Sequence, residues 1–517
     1  MKLSHQPLAL RLVLATLAGA STTLAFAPYS IWPMAIISLI LLLFTLLNAT
    51  PKQALYLGLF WGIGQFSTGI SWVHISIDNF GGMPPAVNWL LMALLILYLS
   101  LYPAIFAFAF KKFFSRSTKK AQYLFAAPAL WLLSEWLRGW VMTGFPWLWL
   151  GYSQIESPLA AFAPVAGVDA ITLLVALCAG AFVYSLIEKS FLGVFIIGGV
   201  FTASYVLQGI QWTTPNIDAP TKIALIQGNI AQETKWVPSY RWPTINQYTE
   251  DTNQHWDADI IIWPEAAIPA FETTVSSFLT SLDKTAKENE TALITGVVNV
   301  HRKLTPESQG EIESRYYNSV LTIGDSIYGD YKFDITQRYN KHHLLPFGEF
   351  VPFEDYLRKL GPIFNLPMSS FTAGSYIQPN IVAKNNQLVA ALCFEILFNE
   401  QIRQNITQST DYILTLSNDA WFGDSIGPLQ HMEIAQMRSL EFGKPVIRST
   451  NNGVTAITDH KGNIAHQIPQ FERATLKATI YPSIGETPYL KWGSWPLYFI
   501  VSLMFVAAAS LRRKRVL

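Results

Sequence analysis

Asp259-Ile260-Ile261-Ile262-Trp263-Pro264-Glu265 is an apolar run of strand character that ends on a carboxylate. Consecutive isoleucines favour extended backbone, because branching at Cβ restricts χ1 and packs well on a pleated surface. Working outward from this run, the same β-type reading recurs at 222–229 (KIALIQGN), 292–298, 318–323, 388–395 (LVAALCFE), 412–418 and 446–459. A helical segment, 428–442 (PLQHMEIAQMRSLEF), follows the sixth run. Strands alternating with helices imply a layered α/β domain. Its extent is set by composition, since charge rises after residue 210 and falls again near 490.

Outside those limits the chain reads as membrane. Of the 517 residues, 51% are hydrophobic and 14% charged, against roughly 25% charged in an average soluble domain. A span needs about 20 apolar residues. Candidates lie at 8–27, 31–48, 54–75, 88–110, 121–140, 160–187 and 191–209, with an eighth at 495–511. The expected division is a membrane domain at 1–210, a catalytic α/β domain at 211–490, and a last span with a basic tail at 491–517. The 17 Trp and 21 Tyr suit a protein with much surface at the lipid–water boundary.

Basic residues in short connections stay cytoplasmic. Lys2 and Arg11 flank span one, and Lys52 lies between spans two and three. Lys111, Lys112, Arg116, Lys119 and Lys120 lie between four and five, Lys189 between six and seven, and Arg512, Arg513, Lys514 and Arg515 after span eight. The connections 28–30, 76–87 and 141–159 contain neither Lys nor Arg. This alternation places both termini inside and 211–490 outside. Ala25-Phe26-Ala27 also resembles a signal cleavage site, an alternative that leaves the remaining topology unchanged. Glu135 and Arg138 are ionisable groups inside span five, which marks either function or an interfacial anchor. Trp147 and Trp149 with Phe145, and Tyr489, Trp492 and Trp495, read as interfacial residues.

A net charge of +1 gives no field that favours a nucleic-acid partner. Two cysteines, Cys178 and Cys393, cannot build a disulfide framework. Three segments carry reactive groups: Trp263-Pro264-Glu265, the run YNKHHLLPFGEFVPF at 339–353, and Leu392-Cys393-Phe394-Glu395. A thiol, a carboxylate that accepts its proton and an ammonium that stabilises an oxyanion make a covalent acyl-transfer site. Each residue taken alone has an ordinary structural reading. Cys393 can be a small buried hydrophobe, Glu265 a turn residue and Lys341 a solvated cation. His342-His343 does not make a metal site, because neighbours in extended backbone point to opposite faces and no ligand spacing completes one.

Taken in the order Glu265, Lys341, Cys393, with Ser417-Asn418-Asp419-Ala420-Trp421-Phe422 beyond them, these segments resemble the nitrilase (carbon–nitrogen hydrolase) superfamily. With the membrane spans added, the whole chain resembles the bacterial apolipoprotein N-acyltransferase family. The resemblance implies a multi-pass helical bundle of about eight spans plus a nitrilase-like αββα sandwich. It implies transfer of an acyl chain from a phosphatidylethanolamine-like phospholipid to the α-amino group of a diacylglyceryl-lipoprotein, through a cysteine thioester and without a cofactor. It also implies a bacterial inner-membrane enzyme that acts as a monomer. Carried over, Cys393 is the nucleophile, Glu265 the general base and acid, and Lys341 the oxyanion stabiliser. Glu349, Glu395 and Asn318 support them. Trp236 and its neighbours belong to a mobile arm over the entrance, Phe394 packs against the acyl chain, and Phe347, Phe350 and Phe353 lie in the long 347–374 segment, which reads as a lid or binding loop. Some family members carry Tyr where this chain has Phe394.

Two other readings share parts of this pattern. A membrane-tethered amidase would use the same triad with water as second nucleophile, although one span would suffice to tether it. A transporter with an external binding domain would leave Cys393 as a core residue, but repeats or interrupted helices of the transporter kind are not evident.

Overall fold

In a computed structural model the structure describes residues 6–80, 84–304, 312–325, 327, 329–333, 336–352 and 370–511. The chain divides into two compact units, one made of 1–212, 424–442 and 486–517, the other of 213–423 and 443–485.

The first unit is helical. Three of its segments, Leu8–Ala25, Pro85–Phe114 and Pro158–Glu188, are long and apolar enough to cross a membrane. Pro33–Thr45, Leu192–Gln208 and Trp495–Ser510 are apolar but shorter. The remaining two expected spans are also helical, at Pro51–Gly69 and Ala127–Arg138. The first is diluted by Gly58, Gly62, Gly64 and Gly69 and the second by Glu135 and Arg138.

The glycines are there for close approach. A Cβ on Gly64 would lie 2.0 Å from the Thr16 carbonyl oxygen, and one on Gly19 would lie 1.8 Å from that of Trp61. Small residues let two backbones meet where lipid supplies no hydrophobic drive for association.

Several polar residues of this unit act as fasteners. Arg11, expected as a flanking cation, is buried and donates to the carbonyls of Thr45 (3.1 Å through Nε) and Leu47 (3.1 Å). It thereby caps the C-terminal end of Pro33–Thr45. Glu135 accepts from Leu150 N (3.1 Å), Trp131 Nε1 (3.2 Å) and Thr172 Oγ1 (3.1 Å), while Arg138 donates to the carbonyls of Phe145 (2.9 Å) and Trp147. Together they pin the 145–150 connection. Trp147 and Trp149 are therefore buried, contrary to the interfacial reading, and so is Tyr489, which lies against Gly167 and Phe442. Trp492 and Trp495 are exposed as expected.

Helix Gly427–Phe442 was expected inside the α/β domain and instead belongs to the first unit. Its buried polar residues explain this. Gln430 accepts from the indoles of Trp72 (3.2 Å) and Trp147 (2.7 Å), and Glu441 accepts from Val168 N (2.7 Å). Arg438 pairs with Glu441 (2.8 Å) and donates to the Tyr152 hydroxyl (2.9 Å).

The second unit contains two packed sheets. One runs 474–480, 221–227, 260–262, 292–304, 312–323, 338–340, with 268–271 also paired to 292–304. The other runs 464–467, 456–458, 446–450, 412–417, 386–390, 381–383. Side chains alternate across a strand, so Thr221–Gln227 serves two cores. Ile223 and Leu225 meet Leu388, Leu414 and Ile447 of the facing sheet, whereas Ala224 and Ile226 meet Ile245, Tyr248, Leu279 and Leu282. Those last four come from helices Arg241–Thr252 and Ser276–Glu288. The unit thus holds helix, sheet and sheet layers.

The expected strands are present with altered ends. The 388–395 run stops at Ala390 and gives way to a tight helical turn, Cys393–Leu397. The 446–459 run is two strands, Val446–Thr450 and Ala456–Thr458.

Candidate active site

Glu265, Lys341, Cys393 and Asn418 each follow the C-terminal end of a strand: Ile260–Ile262, Arg338–Asn340, Asn386–Ala390 and Tyr412–Ser417. The strands supply rigidity, and the irregular residue after each is free to turn its side chain inwards.

Glu265 is fixed from several sides. Asn318 Nδ2 donates to its Oε1 (2.7 Å), Lys341 Nζ reaches the same oxygen (3.4 Å), and Asn418 N donates to Oε2 (3.0 Å). The next residue, Ala266, has φ +47°, a left-handed conformation that is costly away from glycine. Gly296 permits that turn, since a Cβ there would lie 2.4 Å from Ala266 N and 2.9 Å from Glu265 Cα.

Lys341 lies between two carboxylates. Its ammonium is 2.8 Å from Glu349 Oε2 and 3.4 Å from Glu265 Oε1, and it is 2% exposed. Asn318 also donates to Glu349 (2.9 Å), so one amide holds both acids in register, and Leu345 N donates to the second Glu349 oxygen (2.8 Å). Burial alone would lower the lysine's pKa, but Glu349 and then Glu265 outweigh it and hold it well above the usual range. Lys341 is a permanent cation here.

Cys393 has φ +48°, so the thiol is carried on a strained turn between strand and helix. Burial pushes it up to about 12, the Glu265 carboxylate adds to the rise, and Lys341 opposes it. Burial is the main reason, and the Glu265 carboxylate makes a resting thiolate less favourable still.

Glu395 does a different job from Glu349. It is fully buried and accepts from Tyr339 Oη (2.9 Å), His342 N (2.8 Å), His343 N (2.9 Å), Leu392 N (2.8 Å) and Gln401 Nε2 (2.9 Å). It joins the Lys341 segment to the Cys393 turn through backbone donors. Burial raises its pKa while these donors resist the rise.

The apolar candidates divide. Phe347 is exposed at φ +61°, and Phe350 and Trp236 are half-buried. Phe394 is buried instead, edge-on to Phe398 (5.3 Å between centroids) with His343 beside it. That ring packs within the domain. Phe353 lies outside the described residues. Among the described residues no His, Cys, Asp and Glu group could hold a metal.

Sequence reasoning missed three contributors. Asn418 was quoted only as part of a motif, and its role is a main-chain amide. Asp419 is buried against Arg448 (2.7 Å) and accepts from Ser417 Oγ (2.5 Å). Lys235 is buried and donates to the Glu265 carbonyl (3.2 Å). Its position beside Trp236 was the available signal.

Comparison with known proteins finds two families along the chain. Residues 18–181 match the apolipoprotein N-acyltransferase N-terminal domain, and 222–489 match the carbon-nitrogen hydrolase family. An apolipoprotein N-acyltransferase of Vibrio parahaemolyticus is 58% identical over 502 residues, covering 97% of both chains. One from Shewanella oneidensis is 45% identical, covering 98% of this chain and 97% of its own. One from Haemophilus influenzae is 40% identical, covering 96% and 94%.

Proposed function

The chain belongs to the apolipoprotein N-acyltransferase family, and from that premise we propose how its residues carry out the acyl transfer. The donor is a membrane phospholipid of the phosphatidylethanolamine kind. Glu265 removes the proton from Cys393 Sγ as the sulfur attacks an ester carbonyl of the donor. The carbonyl oxygen becomes an oxyanion facing the Lys341 ammonium. Collapse breaks the ester bond, the lysophospholipid alkoxide takes the proton held by Glu265, and the acyl chain remains on Cys393 as a thioester.

In the second half-reaction the α-amino group of a diacylglyceryl-cysteine attacks the thioester. Glu265 accepts a proton from the amine and returns it to the departing thiolate, so acid and base roles are exchanged within each cycle. Glu349 holds Lys341 in place throughout. No step calls for a cofactor.

The observation that carries this reading is the convergence of Glu265, Lys341 and the Cys393 turn within one unit, with Asn318 holding both acids. The reading also includes eight spans, cytoplasmic termini and a periplasmic catalytic unit. The Lys and Arg distribution supports that topology, and six apolar helices among the described residues support multiple passes.

The direct test is a transfer assay with purified protein, phosphatidylethanolamine micelles and a synthetic diacylated lipopeptide. Formation of N-acylated lipopeptide by the wild type and its loss in Cys393→Ala are expected. Undiminished transfer by Cys393→Ala would refute the mechanism. Release of free fatty acid with no acylated peptide would favour the amidase-like alternative.

A further inference from the structure

The charge count at the active site is incomplete without Lys235. Its side chain is buried, and its ammonium donates to the main-chain carbonyl of Glu265 at 3.2 Å. The short helix that presents it, Gln232–Lys235, is itself tied to the site. Gln232 Oε1 accepts from Asn418 Nδ2 (2.6 Å), and Asn418 N donates to the Glu265 carboxylate (3.0 Å). A buried cation is costly unless it meets negative charge. The charged group that acts on Lys235 is Glu265, while burial lowers the lysine to about 8.

We propose that Lys235 is the second cation of the catalytic site, a positioning residue that holds Glu265 through its carbonyl and biases its carboxylate towards the charged form that accepts the thiol proton. With it, two ammoniums face two carboxylates. The groups that face Glu265 are then Lys341, Cys393, Lys235, the amide of Asn418 and the amide of Asn318, which it shares with Glu349. Lys341 is bound more closely to Glu349 than to Glu265, so it is shared. Lys235 touches Glu265 from the backbone side, where a substrate bound at Cys393 need not displace it. The inference rests on the thioester mechanism above and adds a residue to it.

The test compares Lys235→Gln and Lys235→Arg in the full-length protein. Glutamine keeps a donor for the Glu265 carbonyl and removes the charge, whereas arginine keeps the charge. The readout is single-turnover thioester formation from phosphatidylethanolamine across pH 5 to 9. Loss of a nearby cation makes a carboxylate harder to ionise, so the acid limb of thioester formation in Lys235→Gln moves to higher pH than in the wild type. The rate of Lys235→Gln relative to the wild type then falls further on the acid side than at the plateau. Lys235→Arg keeps the wild-type limb.

An unmoved limb in Lys235→Gln, with a rate loss equal at every pH, would overturn the proposal and leave Lys235 structural. If Lys235→Gln is not recovered folded, Lys235→Arg decides. A wild-type limb with a rate within tenfold supports the proposal, and a displaced limb or a larger loss in folded protein overturns it. Absence of any thioester in the wild type would instead bring down the mechanism itself.

Discussion

The chemistry is concentrated in a few side chains whose ionisation is set by their neighbours. Cys393 is held as a thiol by burial and by the neighbouring Glu265 carboxylate. Its alkylation by iodoacetamide should therefore be slow at pH 7 and keep rising with pH, without a plateau below about 10, since the group titrates towards about 12. A plateau near neutral pH would mean a resting thiolate. Glu265→Gln should fold normally and lose thioester formation by at least a hundredfold, as expected for a general base; near-normal rates would remove it from that role. Cys178 is buried among apolar residues of the helical unit, so Cys178→Ser should transfer acyl chains at the wild-type rate. Reactive residue types and their order were legible in the sequence. Lys235 and the Asn418 amide were not, because a long-range contact to a carbonyl and a main-chain donor leave no mark on residue type.

At the level of elements, strand cores were readable and their ends were not. The apolar runs 222–229, 259–265 and 412–418 are buried on both faces, and composition alone announces that. Cys393, however, sits after the strand because its φ is +48°, a conformation no propensity reveals. Glu395 fixes that turn. Glu395→Ala would leave Tyr339, His342, His343, Leu392 and Gln401 donors without their acceptor, so it should destabilise the protein by about 3 kcal/mol or more. The check is a denaturant midpoint in detergent, with thioester formation lost in parallel. An unchanged midpoint would show that the carboxylate does not splice the two segments. In the helical unit, Gly64→Val should collide with the Thr16 carbonyl and sharply reduce folded protein in the membrane fraction. Accumulation at wild-type levels would mean that the crossing is looser than described.

For the whole molecule, charge rises after residue 210 and the second compact unit begins at Thr213. Helix Gly427–Phe442 lies within the stretch that matches the hydrolase family, while its Gln430, Arg438 and Glu441 find their partners in the helical unit. Short helices obscured the count of spans, since hydropathy windows merge a helix with its apolar connections. The proposed topology predicts that a cysteine at Lys120 is labelled by an impermeant maleimide only after the inner membrane is opened, while one at Tyr240 is labelled from the periplasmic side; the reverse pattern would invert the orientation. The central claim remains the covalent one. Intact-protein mass spectrometry after incubation with phosphatidylethanolamine should show one acyl chain added, mapped to Cys393, absent from Cys393→Ala and discharged by a diacylated lipopeptide. An adduct elsewhere, or acylated lipopeptide formed with no adduct on Cys393, would contradict it.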